Sequence, residues 1–276
     1  MKFKSLVFVI ASTVLVSNVY ADNTAGSSSD TDTDTDQTLD NQDKPNTWGI
    51  GVAGLISPVP YKDTSSTILP LPVISYQGEN LRISGPFISY KFLNYEYAKT
   101  SVQAYLYPEH FRSNKSTDSQ MQQLDNRNYI VMGGINQKFL SPYGIFNFSF
   151  NIDMTGQSNG FSIISRYNIP FVFNKVFGDD RLVFNPGIGL QYSSHLLTNY
   201  YYGISSSETN SSGLPTYHPD GSFSPFISLT TAYSFAGHWT LALINTVTRL
   251  DNTVYDSPMV EKRYIVTTYG SVVYKF

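Results

Sequence analysis

Cysteine is absent from the 276 residues, so disulfide scaffolds, thiolate metal sites and cysteine nucleophiles are excluded. Charge is scarce. Asp, Glu, Lys and Arg make up 14 % of the chain, against roughly 25 % in an average soluble domain. The formal net charge is −3, and no basic stripe points to nucleic acid. Beyond the N-terminus there is no run of roughly 18 apolar residues, which excludes helical membrane spans. What the chain has in quantity is aromatic: 21 Tyr, 18 Phe and 2 Trp, or 15 % of the residues. Few charges and many tyrosines suit a protein with much surface in a non-aqueous solvent.

The N-terminus reads as an address. Lys2 and Lys4 are followed by the apolar stretch Leu6 to Val16 and by the small-residue site Val19-Tyr20-Ala21. Cleavage of a signal peptide, residues 1–21, is expected after Ala21. Residues 22–47 contain the run Asp30-Thr31-Asp32-Thr33-Asp34-Thr35-Asp36, with seven acids against the single base Lys44, a net of −6. With almost nothing apolar to bury, this segment is expected to be a disordered, solvated tether. Its alternating Asp residues lack the Gly and distal Glu of a calcium-binding loop. The remaining 48–276 carry 15 bases and 14 acids.

That body alternates with period two, segment after segment. Phe146, Phe148, Phe150, Ile152 and Met154 oppose Asn147, Ser149, Asn151 and Asp153. Ile227, Leu229, Thr231, Tyr233 and Phe235 oppose Ser228, Thr230, Ala232 and Ser234. The same pattern runs through 161–173, 182–192 and 239–247. This is strand periodicity. The strands are long enough for a bilayer crossing of ~9–11 residues. Their second face is small and uncharged, where a soluble sandwich would carry Lys and Glu. The pattern therefore predicts a transmembrane antiparallel up-and-down β-barrel with a narrow polar lumen.

Turns alternate short and long. Gly78-Glu79-Asn80, Ser141-Pro142, 174–180 and Ala236-Gly237 are short; 57–66, 108–127, 194–221 and 250–260 are long. Short turns belong in the periplasm and long loops outside. Visible strand-like segments come to an odd number, and Gly85-Pro86 is the place where one apparent strand can split. Twelve strands are expected, with ten as the alternative.

The chain ends Tyr269-Gly270-Ser271-Val272-Val273-Tyr274-Lys275-Phe276. Its terminal Phe276 and Tyr274 resemble the signal read by the barrel-assembly machinery. Further stretches are Pro70-Leu71-Pro72-Val73-Ile74-Ser75-Tyr76, Asn185-Pro186-Gly187-Ile188-Gly189, Tyr200-Tyr201-Tyr202-Gly203-Ile204-Ser205 with Ser212-Gly213-Leu214 and Tyr217, and Asp256-Ser257-Pro258-Met259-Val260. Together they resemble the MltA-interacting protein family (MipA/OmpV), over about Trp48 to Phe276. The acidic tail departs from that family. The resemblance implies residence in the cell outer membrane of a Gram-negative envelope, amid lipid and lipopolysaccharide. It also implies a scaffold role in peptidoglycan assembly, linking a lytic murein transglycosylase to a bifunctional penicillin-binding synthase. The alternative it implies is a narrow channel or permeability factor for small solutes or antibiotics.

No catalytic, cofactor or metal site is expected. His110, His195, His218 and His238 lack metal-ligand spacing. Ser194 and His195 are adjacent on an extended chain and so point to opposite faces, which prevents a nucleophile–base pair. Tyr200, Tyr201, Tyr202 and Gly203 form the candidate extracellular loop motif, either a self-packed lid or a ligand-recognising constriction. Of the dispersed cations Lys62, Arg82, Lys91, Arg166 and Arg249, some are expected to line the lumen. Arg166 alternates with lipid-facing residues and should point inward, toward a partner such as Asp153.

Overall fold

The computed structural model describes residues 46–57, 59–178 and 180–276. The expected signal peptide, Ala21 and nearly all of the acidic tail lie outside the described residues.

Thirteen strand segments close into one antiparallel sheet. In chain order they are β1 (Thr47–Ser57), β2 (Thr67–Gln77), β3 (Leu81–Ser84), β4 (Phe87–Asn94), β5 (Ala98–Leu106), β6 (Val131–Ser141) and β7 (Gly144–Asp153). They continue as β8 (Phe161–Asn168), β9 (Phe171–Asn174), β10 (Arg181–Ser193), β11 (Ser222–Phe235), β12 (Trp239–Arg249) and β13 (Tyr264–Lys275). β8 and β9 both pair with β10 and are two pieces of one stave. Pro170 separates them because it has no N–H to give the ladder. The barrel therefore has twelve staves, and β13 pairs with β1 to close it.

The alternation that predicts the strands also sets their faces. Phe146, Phe148, Phe150 and Ile152 are exposed on the outer surface, while Asn147, Ser149 and Asn151 are buried inside. Outward side chains meet across strands, as Phe146 with Tyr167 and Phe150 with Ile163. These pairs give the barrel an apolar girdle, the side that a bilayer rewards. One wall differs from the expected polar lumen. Ala53, Leu55, Leu71, Val73, Ile244, Tyr269 and Val273 point inward and pack together. β1 and β2 are apolar on both faces, so they show little alternation.

The split at Gly85-Pro86 is real and shapes the wall. β3 pairs with β2 only over Ser75 to Gln77, and Gly85 N–H donates to Ile74 O at 3.0 Å. Ile74 thus turns its backbone polar groups toward β3, and by alternation so do Pro72 and Pro70. No strand among the described residues pairs with that edge above Ser75. Proline removes the N–H at two of these positions, which blunts the edge against stray pairing.

The loops 59–66, 107–130, 194–221 and 250–263 gather at one end, here the long-loop end. The other end holds tight turns. At 236–238 both Ala236 (φ 50°) and Gly237 (φ 69°) are left-handed, the twist that short hairpins need.

Candidate functional site

The four long loops fold over the barrel mouth as a lid. Tyr61, Phe111, Met121, Leu197, Tyr201 and Met259 form the centre of its apolar core, all but fully buried. Rings contact edge-on, as Tyr61 with Phe111 at 4.9 Å between centroids. Two short helices organise the longest loop. Helix α1 (His195–Tyr202) starts where Ser194 Oγ accepts from Leu197 N–H. Helix α2 (Ser206–Ser212) starts on a capping box: Ser205 Oγ accepts from Glu208 N–H, and the Glu208 side chain accepts from Ser205 N–H. Gly213 ends α2 in the left-handed region, φ 73°.

Hydrogen bonds tie the loops to one another. Ser116 Oγ donates to Lys62 O at 3.0 Å, Ser257 Oγ to Tyr202 O at 2.7 Å, and Tyr217 OH to Thr253 O at 2.7 Å. Arg127 Nη2 pairs with Glu208 Oε1 at 2.8 Å, with both side chains buried.

The tyrosine motif is part of this lid. Tyr200 OH donates to Gln157 Oε1 at 2.9 Å and accepts from Asn128 N–H at 2.8 Å. Tyr201 OH donates to Asn128 O at 3.2 Å. Gly203 closes α1 so tightly that a Cβ there would stand 2.5 Å from Asn199 O.

Beneath the lid lies a cavity of about 150 Å³. Glu109, which the sequence reading does not single out, enters it from the lid. Tyr107 OH donates to its Oε1 at 3.2 Å and Tyr202 OH to its Oε2 at 3.0 Å. Burial pushes the Glu109 carboxyl from 4.5 up to about 7, against those hydrogen bonds. Burial also pushes the Tyr107 and Tyr202 hydroxyls up, so both remain donors. His110, nearby in the wall, is pushed down by burial and stacks on Tyr129 at 4.4 Å.

The sign of the Glu109 shift makes a prediction. The folded lid favours the protonated acid, so its contribution is complete below about 4.5 and declines as pH rises through about 7. Lid amides should therefore exchange hydrogen with a larger opening constant at pH 8 than at pH 5, after correction for intrinsic rates. Glu109→Gln should flatten that dependence. A lid equally protected at both pH values would contradict the assignment.

Arg166 points into the same cavity, as its alternation predicts, and is buried. Asp153 is not its partner. Across the strands Arg166 faces Asn147 and Gly189. The Asp153 carboxylate instead holds its own loop, accepting from Thr155 N–H and Ser158 N–H at 2.7 Å each. Arg82 and Lys91 also lie on inward positions, whereas Arg249 is on the outer face and Lys62 is in the lid. Ser194 Oγ is occupied as a cap and by Phe161 N–H, and His195 Nδ1 lies 3.0 Å from Pro219 O. Among the described residues no cluster of His, Asp and Glu could hold a metal. Tyr274 and Phe276 stand at the short-turn end with ring centroids 5.6 Å apart, beside Trp239 and Trp48.

The sequence profile of MltA-interacting protein MipA matches residues 50–276. The chain belongs to the MltA-interacting protein family. It is 35 % identical over 217 residues to the MltA-interacting protein of Escherichia coli K12, covering 79 % of this chain and 85 % of that one. It is 28 % identical over 227 residues to the putative outer membrane protein YiaT of the same organism, covering 82 % and 90 %. Outer membrane protein OmpV of Vibrio cholerae is 23 % identical over 230 residues, covering 83 % and 86 %. A closed barrel with an apolar girdle in this family is an outer-membrane protein. The stretches Pro70–Tyr76 and Asn185–Gly189, which suggest the MipA/OmpV resemblance, fall at the blunted sheet edge and on β10, where Gly189 pairs in register with Arg166 and Phe226.

Proposed function

We propose that the protein is a non-catalytic outer-membrane scaffold that holds a murein transglycosylase and, with it, a penicillin-binding synthase. The observation that carries this is its 35 % identity to a protein named for interacting with MltA. The packed lid supports it, because a mouth filled by tyrosines suits a scaffold better than an open channel. In this reading the short-turn end faces the periplasm and the long-loop end the outside. The girdle meets lipid and lipopolysaccharide, and Tyr274 and Phe276 present the terminal signal to the barrel-assembly machinery.

The periplasmic rim has its own character. Arg82, Lys91, Lys99, Lys138, Arg181 and Lys275 occupy inward positions near the short-turn end. The acidic segment joins the same rim, where Asn46 N–H donates to Gln77 O. A tail with a net charge of −6 adds long-range attraction that acts over about 8 Å at physiological salt. It would speed capture of a basic wall enzyme more than it would tighten the complex.

Cross-linked envelopes carrying a tagged copy should yield a murein transglycosylase upon affinity capture. Deleting residues 27–43 should leave the barrel folded and lower that recovery several-fold at low salt, with the difference vanishing at high salt. Recovery of no wall enzyme would overturn the scaffold reading. Unchanged recovery across the salt series would move the binding surface to turns such as 174–180.

A further inference from the structure

Arg166 carries a cost that the fold does not offset. It is 6 % exposed, on the inward face of β8. Among the described residues its Nε is buried without a hydrogen-bond partner. The Phe226 ring lies beside it, with its centroid 5.4 Å from Cζ. A buried charge without a counter-charge is expensive. An ionisable group at membrane depth that persists unpaired marks a working site.

The surroundings are shaped to keep this group open to a ligand. Gly189 stands between Arg166 and Phe226 in register. A Cβ at Gly189 would lie 2.2 Å from the tip of the Phe226 ring and 2.6 Å from Ser165 O. The missing side chain is what lets the ring lean toward the guanidinium. Gly187, two residues earlier on the same face, leaves room for Asn168 and Ser228 in the same way. The rest of the cavity is mostly apolar, with Ile164, Ile244 and Tyr269 on the walls and Glu109 with its two tyrosines above.

We propose that this cavity binds a small aromatic carboxylate, with its carboxylate on Arg166 and its ring against Phe226 and the apolar wall. A guanidinium offers two parallel donors that match a carboxylate. A volume of about 150 Å³ is the size at which an apolar cavity takes one benzene ring. The donor-accepting Glu109 and the hydroxyls of Tyr107 and Tyr202 favour a ring bearing a hydroxyl at its far end. The site lies in the barrel wall and lid, away from the periplasmic rim, so it stands or falls separately from the scaffold role.

The test uses the full-length barrel in lipid nanodiscs, with 4-hydroxybenzoate and its uncharged counterpart 4-hydroxybenzyl alcohol as probes in calorimetric titrations. The wild-type protein should bind the carboxylate at least tenfold more tightly than the alcohol. Arg166→Met should abolish that preference while leaving the weaker binding of the alcohol in place. Equal affinities in the wild type, or a preference that survives in Arg166→Met, would overturn the proposal. A thermal melt adds an independent arm. If Arg166 is unpaired in the folded protein, Arg166→Met should melt no lower than the wild type without ligand. A large drop in melting temperature would mean that Arg166 is a structural tie, and would also overturn the proposal.

Discussion

Replacing Arg127 by methionine should unlatch the lid while leaving the barrel intact. Arg127 makes three hydrogen bonds at the mouth. Its Nη2 donates to Glu208 Oε1 at 2.8 Å and to Gly203 O at 3.0 Å, and its Nη1 donates to Asp125 O at 2.8 Å. It thereby joins loop 107–130 to both helices of loop 194–221. Burial alone would push the Glu208 carboxyl up, but Ser205 N–H, Arg127 and Asp125 N–H outweigh burial and hold it below the ordinary glutamate value. Methionine fills similar space and leaves Glu208 as a buried anion without its cation. Breaking one half of a buried pair costs about 3–5 kcal/mol. That exceeds what any single lid hydrogen bond supplies, at about 0.5–1.5 kcal/mol each. Hydrogen exchange should then show lid amides opening by orders of magnitude more, while strand amides and resistance to detergent unfolding stay put. The double variant Arg127→Met, Glu208→Gln should recover part of the loss, since the stranded charge is gone. Unchanged lid protection in the single variant would mean that the apolar core holds the lid without the latch.

Legibility in the sequence follows from how different the two faces of a segment are. β7 and β11 set Phe and Leu against Asn and Ser, so their strands, faces and membrane setting are all readable. β1 and β2 are apolar on both sides because their inward residues build the core around Leu71 and Val73. Periodicity therefore says little there, and the apolar lumen wall goes unseen. The helices of the lid are brief, and the clearest trace of α2 is Ser205-Ser206-Ser207-Glu208, a capping-box spacing. That spacing could have been read directly. Reading 194–221 only as a long loop passes over it.

The cavity was half legible. Alternation alone turns Arg166 inward. Its cross-strand neighbour could not be read, because that depends on the register of the β7–β8 pair. Seven loop residues, 154–160, lie between those strands. They let Asp153 turn back on its own loop and bring Asn147 opposite Arg166. Glu109 left no local signal. Its role arises from Tyr202, 93 residues away, and such a pairing exists only once two loops share a lid.

The girdle makes the remaining large prediction. Ile188 is 63 % exposed near the middle of β10, with Tyr167 and Ile227 as its outward neighbours across the strands. In water an exposed isoleucine would be replaceable at little cost. In a bilayer the same position faces hydrocarbon, and arginine at the midplane costs about 2–4 kcal/mol. Phe173 is also outward and 49 % exposed, but it lies in β9 close to the short-turn end. There an arginine can reach the interface, and the cost falls to about 0–1 kcal/mol beyond the lost ring. Loss of its contact with Phe184, centroids 6.1 Å apart, adds about 0.5–1.5 kcal/mol. Unfolding titrations of Ile188→Arg and Phe173→Arg in lipid bilayers should thus separate the two, with the central substitution the more damaging. Ile188→Leu should behave as wild type. If Ile188→Arg proves as mild as Phe173→Arg, the apolar band does not lie in hydrocarbon at the depth that the strand register assigns.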